Sequence, residues 1–262
     1  LGIITMNQEL LSPLCETYTQ YPVELERAQD CFVYGVDGKE YLDLYGGHAS
    51  CGAGHSNIEV IEAIYSQGKQ LAFYSNLARI PIRAKGAQLL LEWADSGHQK
   101  VFFCNTGAEA NENALKMSIK ATGRKKIVAM KKGWHGRSML AMTATDDPSW
   151  QKTFSPRIQQ AVHIEPNNIN EMKANVDTDT AAVILEPIQS IGGVVVMSDE
   201  FLLALRARCT EVGALLIFDE VQTGSGRTGR PFVSSRSAGI CSDMTTTAKS
   251  LANGFPMGAV LM

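Results

Sequence analysis

The sequence lacks the marks of several large functional classes. With 24 basic against 27 acidic residues and a net charge of −3, it has neither a basic excess for nucleic acid nor an acidic tail. No apolar run approaches the roughly 20 residues that span a bilayer, and Leu1 to Leu14 has neither the basic start nor the continuous apolar core of a signal peptide. These absences predict a soluble, cytoplasmic protein with small-molecule partners and no nucleic acid or membrane. Cysteine is scattered: Cys15, Cys31, Cys51, Cys104, Cys209 and Cys241 form no C-x-x-C, and the nearest pair, Cys15 and Cys31, is 16 positions apart. They read as buried free thiols. The histidines, His48, His55, His98, His135 and His163, show no ligand spacing such as H-E-x-x-H, so no metal is expected.

What is present is a globular composition. At 262 residues and 45% hydrophobic, the chain can bury one large or two smaller cores. Cys31–Tyr34 and Tyr41–Leu44 flank Asp37-Gly38, a hairpin signal because glycine accepts the positive φ of the turn. Ser56 with Glu59 predicts a capping box, followed by a helical stripe of Ile58, Ile61, Ile64 and Tyr65. Pro81 predicts a second helix through Leu89, Leu90 and Trp93. From Lys100 short apolar runs alternate with helical stretches: 101–104, a helix over 109–121, 126–130, 161–164, 181–185, a helix over 199–212, and 215–218. That alternation predicts an α/β fold with a mostly parallel sheet covered by helices, its ligand beyond the carboxyl ends of the strands. A boundary near residue 55 would separate a 1–55 N-terminal segment from a 56–262 large domain. Met257–Met262 reads as a strand in progress, and the start at Leu1 together with this ending predicts a chain cut at both ends.

Five stretches carry chemistry, each with a plainer alternative. Cys104-Asn105-Thr106-Gly107-Ala108-Glu109 follows a strand and opens a helix, whose free N–H groups and dipole suit a phosphate; simple capping would account for it equally. Gly133-Trp134-His135-Gly136-Arg137 sets an indole between glycines, either to lie against a planar ligand or as a half-buried loop residue. Arg137 there is a bidentate donor suited to a carboxylate, or a solvated cation. Glu186 ends a buried strand, as a site carboxylate or as a structural acid. The apolar run Ala214–Phe218 delivers Asp219, Glu220 and Gln222, the pattern of a strand whose end opens into a site. Lys249 sits among small residues, where a lone ammonium is either a surface charge or an amine placed to form a Schiff base.

Phe218-Asp219-Glu220-Val221-Gln222-Thr223-Gly224-Ser225-Gly226-Arg227-Thr228-Gly229 and Ala248-Lys249-Ser250-Leu251-Ala252-Asn253-Gly254-Phe255-Pro256 together resemble the class III, ornithine-type aminotransferases that use pyridoxal phosphate, from about Tyr21 onward. The resemblance implies a fold-type I enzyme with a further C-terminal domain missing here. It implies that Gly107 and Ala108 hold the cofactor phosphate, with alanine where threonine or serine is commoner. Trp134 would stack on the ring, Val221 pack on its face, Gln222 bond its hydroxyl, and Asp219 keep its nitrogen protonated. Lys249 would carry the cofactor and move the substrate proton, while Arg137 and Glu186 attend the substrate. Ile191 stands where many members have a second glutamate. The implied reaction moves the terminal amine of N-acetylornithine or a related ω-amino donor to 2-oxoglutarate, as in arginine biosynthesis; ornithine or 4-aminobutyrate is the alternative donor. The implied assembly is a homodimer with the site at the subunit interface. A partner's threonine and a C-terminal arginine complete the family's site, so the alternative of another class is a non-catalytic cofactor-binding fragment.

Overall fold

The computed structural model describes residues 15, 17–149, 161–236 and 240–262. The stretch Leu1 to Leu14 lies outside the described residues. Near the N-terminus, β1 (Leu25–Gln29), β2 (Phe32–Gly35) and β3 (Glu40–Leu42) form a small antiparallel sheet, with the expected turn at Gly38, φ 78°. The following helix, Ile58–Leu71, is capped by Asn57, whose side chain accepts from Val60 N at 3.1 Å. Ser56 is therefore not the cap: at φ 52° its hydroxyl turns away and donates to Ala28 O. The apolar stripe of that helix, Ile58, Ile61, Ile64 and Tyr65, is exposed in this chain rather than buried. Pro81 begins the next helix, Pro81–Ala94, as expected.

The main sheet comprises β4 (Val101–Cys104), β5 (Lys126–Met130), β6 (Val162–Ile164) and β7 (Thr180–Leu185), then, after a small hairpin of β8 (Ile188–Gln189) and β9 (Val195–Val196), β10 (Leu215–Asp219), β11 (Met244–Thr247) and β12 (Gly258–Leu261). Their order is β4-β12-β11-β10-β7-β5-β6, and β12 alone runs antiparallel to its neighbours. Alternate residues of the central strands feed two cores, as the pleat requires. Val128, Met130, Val183, Leu185, Leu216 and Phe218 pack with helix Asp199–Val212. Ile127, Ala129, Ala182, Ile184 and Ile217 pack with helix Gly107–Thr122 on the opposite face.

The thiols are free as expected, but only Cys209 is buried; Cys15, Cys31 and Cys241 are exposed. Among the described residues no helix is long and apolar enough to cross a membrane, and no group of three or more His, Cys, Asp or Glu could hold a metal ion.

Candidate active site

Strands β4, β5, β7, β10 and β11 share one direction, so whatever follows them collects at one edge of the sheet. Gly107 follows β4, Trp134 and His135 follow β5, Glu186 follows β7, Asp219 ends β10 and Lys249 follows β11. Asp219 and Thr246 are register partners, which brings the aspartate strand beside the lysine strand. Thr106 caps helix Gly107–Thr122 by accepting from Glu109 N at 3.0 Å, while Glu109 returns a bond to Asn105 N at 2.6 Å. That reciprocal cap is compatible with an anion site, because the Gly107 and Ala108 amides belong to the first turn and have no helical partner.

Two carboxylates leave β10 in succession and the structure separates their roles. Glu220 is wholly buried and accepts from Val233 N, Ser234 N, Ser234 Oγ and Thr223 Oγ1 at 2.7 to 3.1 Å, so it ties down the following loop. Asp219, 3% exposed, enters the site. Its Oδ2 lies 2.7 Å from both Asn111 Nδ2 and His135 Nδ1, and its Oδ1 accepts from Val221 N at 3.0 Å. Burial alone would push His135 down, but its hydrogen bond to Asp219 and the charges of Asp219 and Glu186 outweigh that and raise its pKa.

Lys249 Nζ donates to Gln222 Oε1, and Gln222 Nε2 donates to Ser190 Oγ at 2.7 Å. Burial lowers the lysine pKa, aided by Arg227 and opposed by Asp219 and Glu186. Its backbone is left-handed at φ 51°, a conformation rare outside glycine, and strain of this kind collects at working sites. The lysine loop is also tied to the N-terminal segment, since Ser250 Oγ donates to Ala49 O and Ala53 N donates to Asn253 Oδ1, both at 2.9 Å. A cavity of about 340 Å³ opens beside this seam, lined by Asp43, Cys51, His55 and Arg227 among others.

Trp134 is half-buried, with its amide donating to Glu186 Oε1 at 2.9 Å. Glu186 is 7% exposed and burial pushes it up to about 7, with Asp219 adding to the rise and His135 opposing it. Glu186→Gln keeps an acceptor for Trp134. It is expected to stabilise the cofactor-free protein by about 3 kcal/mol at pH 8. The gain should shrink as pH falls through 7 toward 4.5, where Glu186 itself is neutral. Urea denaturation at several pH values measures it.

Val221 packs against Gly107 so closely that an added Cβ would lie 2.6 Å from Val221 Cγ1. Gly107→Ala should displace Val221 and cost about 1–3 kcal/mol, read as a lowered denaturation midpoint. Arg137 is exposed and rests over the Tyr18 ring at 5.6 Å, outside the hydrogen-bonded cluster of Asp219, Gln222 and Lys249. Ile191 is 66% exposed on the loop of the small hairpin.

Sequence reasoning missed Asn111, His135, Thr246 and Ser190, all hydrogen-bonded into this cluster. Asn111 carried a usable signal, an amide beside Ala110, Ala114 and Leu115 on the buried face of its helix. The strand β11 was likewise unread.

A model of the class-III aminotransferases matches residues 15–262. The chain belongs to this family. Among its relatives, the acetylornithine aminotransferase of Halalkalibacterium halodurans is 41% identical over 251 residues, 96% of this chain and 65% of its own length. The chain thus spans 65% of that relative. The solved ornithine aminotransferase of Toxoplasma gondii, in which PLP partially occupies the active site, superposes with a TM-score of 0.87 at 27% identity, covering 95% of this chain and 60% of that one. For the N-acetylornithine aminotransferase of Stenotrophomonas maltophilia the values are 0.78 and 34%, over 92% of this chain and 62% of that one. The α/β, fold-type I architecture implied by the motifs is the one found.

Proposed function

We propose that the whole protein is a pyridoxal phosphate-dependent aminotransferase that takes the terminal amine of N-acetylornithine or a related ω-amino donor and passes it to 2-oxoglutarate. One observation carries this reading: a half-buried lysine amine and a buried carboxylate stand at the ends of adjacent parallel strands, beside a helix N-terminus whose glycine is packed by Val221. The residues present fit a planar, phosphate-bearing group, since the free amides of Gly107 and Ala108, the Trp134 ring and the Asp219 carboxylate come from strand ends on one edge of the sheet. When bound, pyridoxal phosphate supplies a reactive carbonyl and a pyridine ring that takes up the electrons freed at the substrate carbon.

The chain's own residues then divide the work. Gly107 and Ala108 would hold the phosphate through their amides, while Trp134 and Val221 would pack on the ring. Asp219 would keep the ring nitrogen protonated through its Oδ1, and Gln222 would orient the ring hydroxyl. Lys249 Nζ, its pKa lowered by burial, would hold the carbonyl and move the substrate proton. Arg137 would receive the substrate carboxylate, and Glu186, which accepts from the Trp134 amide, would stand near the substrate. A homodimer with its site at the interface accords with the exposed Ile58, Ile61, Tyr65, Phe73 and Leu77. A cytoplasmic location accords with a small-molecule reaction of this kind.

The test is an absorbance titration of the whole protein with pyridoxal phosphate, followed by N-acetylornithine, ornithine or 4-aminobutyrate in turn. Conversion of the cofactor band fastest with N-acetylornithine, reversed by 2-oxoglutarate, is the expected result. Failure of all three amines to change the band would overturn the reading.

A further inference from the structure

Asn111 is 1% exposed and joins three parts of the chain that lie far apart in sequence. Its Nδ2 donates to His135 O at 2.8 Å and to Asp219 Oδ2 at 2.7 Å, and its Oδ1 accepts from Thr246 Oγ1 at 2.6 Å. A backbone carbonyl and a carboxylate can only accept, so the amide NH₂ must face them and the oxygen must face Thr246. The threonine hydroxyl, free elsewhere to donate or accept, is thereby obliged to donate.

The bonds to Asp219 have a further consequence. An ionised carboxylate offers about two acceptor positions on each oxygen. Those of Oδ2 are taken by Asn111 and His135, and one of those on Oδ1 is taken by Val221 N. A single acceptor position, on Oδ1, remains. We propose that Asn111, held in one orientation by Thr246, is a positioning residue that occupies Asp219 Oδ2 and leaves Oδ1 as the one acceptor presented to a ring nitrogen. The proposal rests on the cofactor reading above and assigns to Thr246 and Asn111 the aim and charge of the carboxylate. His135 supports the same oxygen, with its own amide fixed by Thr145 Oγ1 at 2.9 Å.

Thr246→Val preserves shape and removes the donor, leaving Asn111 Oδ1 buried without a partner. Pyridoxal phosphate should then bind roughly tenfold more weakly to the whole protein, and Thr246→Ser, which keeps the hydroxyl, should restore the wild-type dissociation constant. Asn111→Asp places a second carboxylate against Asp219, and two such groups cannot both ionise at that distance. Its cofactor affinity should therefore vary with pH differently from that of the wild type.

Imidazole ¹⁵N shifts of His135 in the cofactor-free protein provide a readout independent of cofactor. They should titrate at a different pH in Asn111→Asp than in wild type. Thr246→Val with wild-type affinity and pH profile, or His135 shifts unchanged in Asn111→Asp, would overturn the proposal. If the wild type fails to bind pyridoxal phosphate at all, the proposed function falls, and the His135 titration still decides whether Asn111 governs Asp219.

Discussion

Lys249→Ala is expected to lower aminotransferase turnover of the whole protein by about 10³-fold or more and to remove the lysine-linked absorbance of added pyridoxal phosphate. The geometry leaves little room for a substitute. Lys249 Nζ bonds to Gln222, and the other cation that reaches it electrostatically is Arg227, a guanidinium that stays protonated and cannot take up a proton. The same substitution should stabilise the cofactor-free fold. Burial depresses the lysine pKa, so below that pKa the folded protein bears the cost of a poorly solvated ammonium. Stability therefore rises with pH toward the ordinary lysine value of about 10.4. Lys249→Ala should melt higher than wild type at neutral pH and lose that advantage in alkali. A lysine variant that turned over at the wild-type rate would remove Lys249 from the reaction; one that melted lower would show that the buried amine is not a burden on the fold.

Asp219→Ala should be the most damaging of the site substitutions to stability. It leaves His135 Nδ1, Asn111 Nδ2 and Val221 N in a buried space without their acceptor. Removing one partner of a buried pair of this kind costs about 3–5 kcal/mol. The pH dependence has a definite sign. His135 has a raised pKa in the fold, so the stability it gains from Asp219 is fully present below its unfolded value of about 6.5 and is lost as pH rises through the folded value. The gap between wild type and Asp219→Ala, measured by urea denaturation, should thus be widest in mild acid and narrow in alkali. A gap of constant size would mean that His135 is neutral throughout. In the same variant, added pyridoxal phosphate should bind at least tenfold more weakly, because a charge-assisted acceptor for its ring nitrogen is lost.

The amino-acid sequence alone determined the alternation of strands and helices, the strand that delivers Asp219, and the helix that opens at Gly107. Those features are local. Runs such as Ala181–Leu185 and Leu216–Phe218 are apolar without alternation because both faces of a covered parallel strand are buried, and Pro81 and Asp37-Gly38 constrain their own backbone. Other features were decided by the tertiary structure. The tetrad Met244–Thr247 has too few large apolar residues to read as a core strand, and it is one because β10 and β12 flank it. Ser56 and Asn57 are both good caps, and a contact with Ala28, distant in sequence, draws Ser56 away and leaves the role to Asn57. Asp219 and Glu220 are neighbours with the same charge, and no local rule separates the one that faces the site from the one that holds a loop. The separation arises because β10 ends between His135 and Asn111 on one side and the Val233–Ser234 loop on the other. Hydrogen-bond partners separated by 84, 108 and 135 positions are set by strand order and register, which depend on how the whole sheet closes rather than on any one segment.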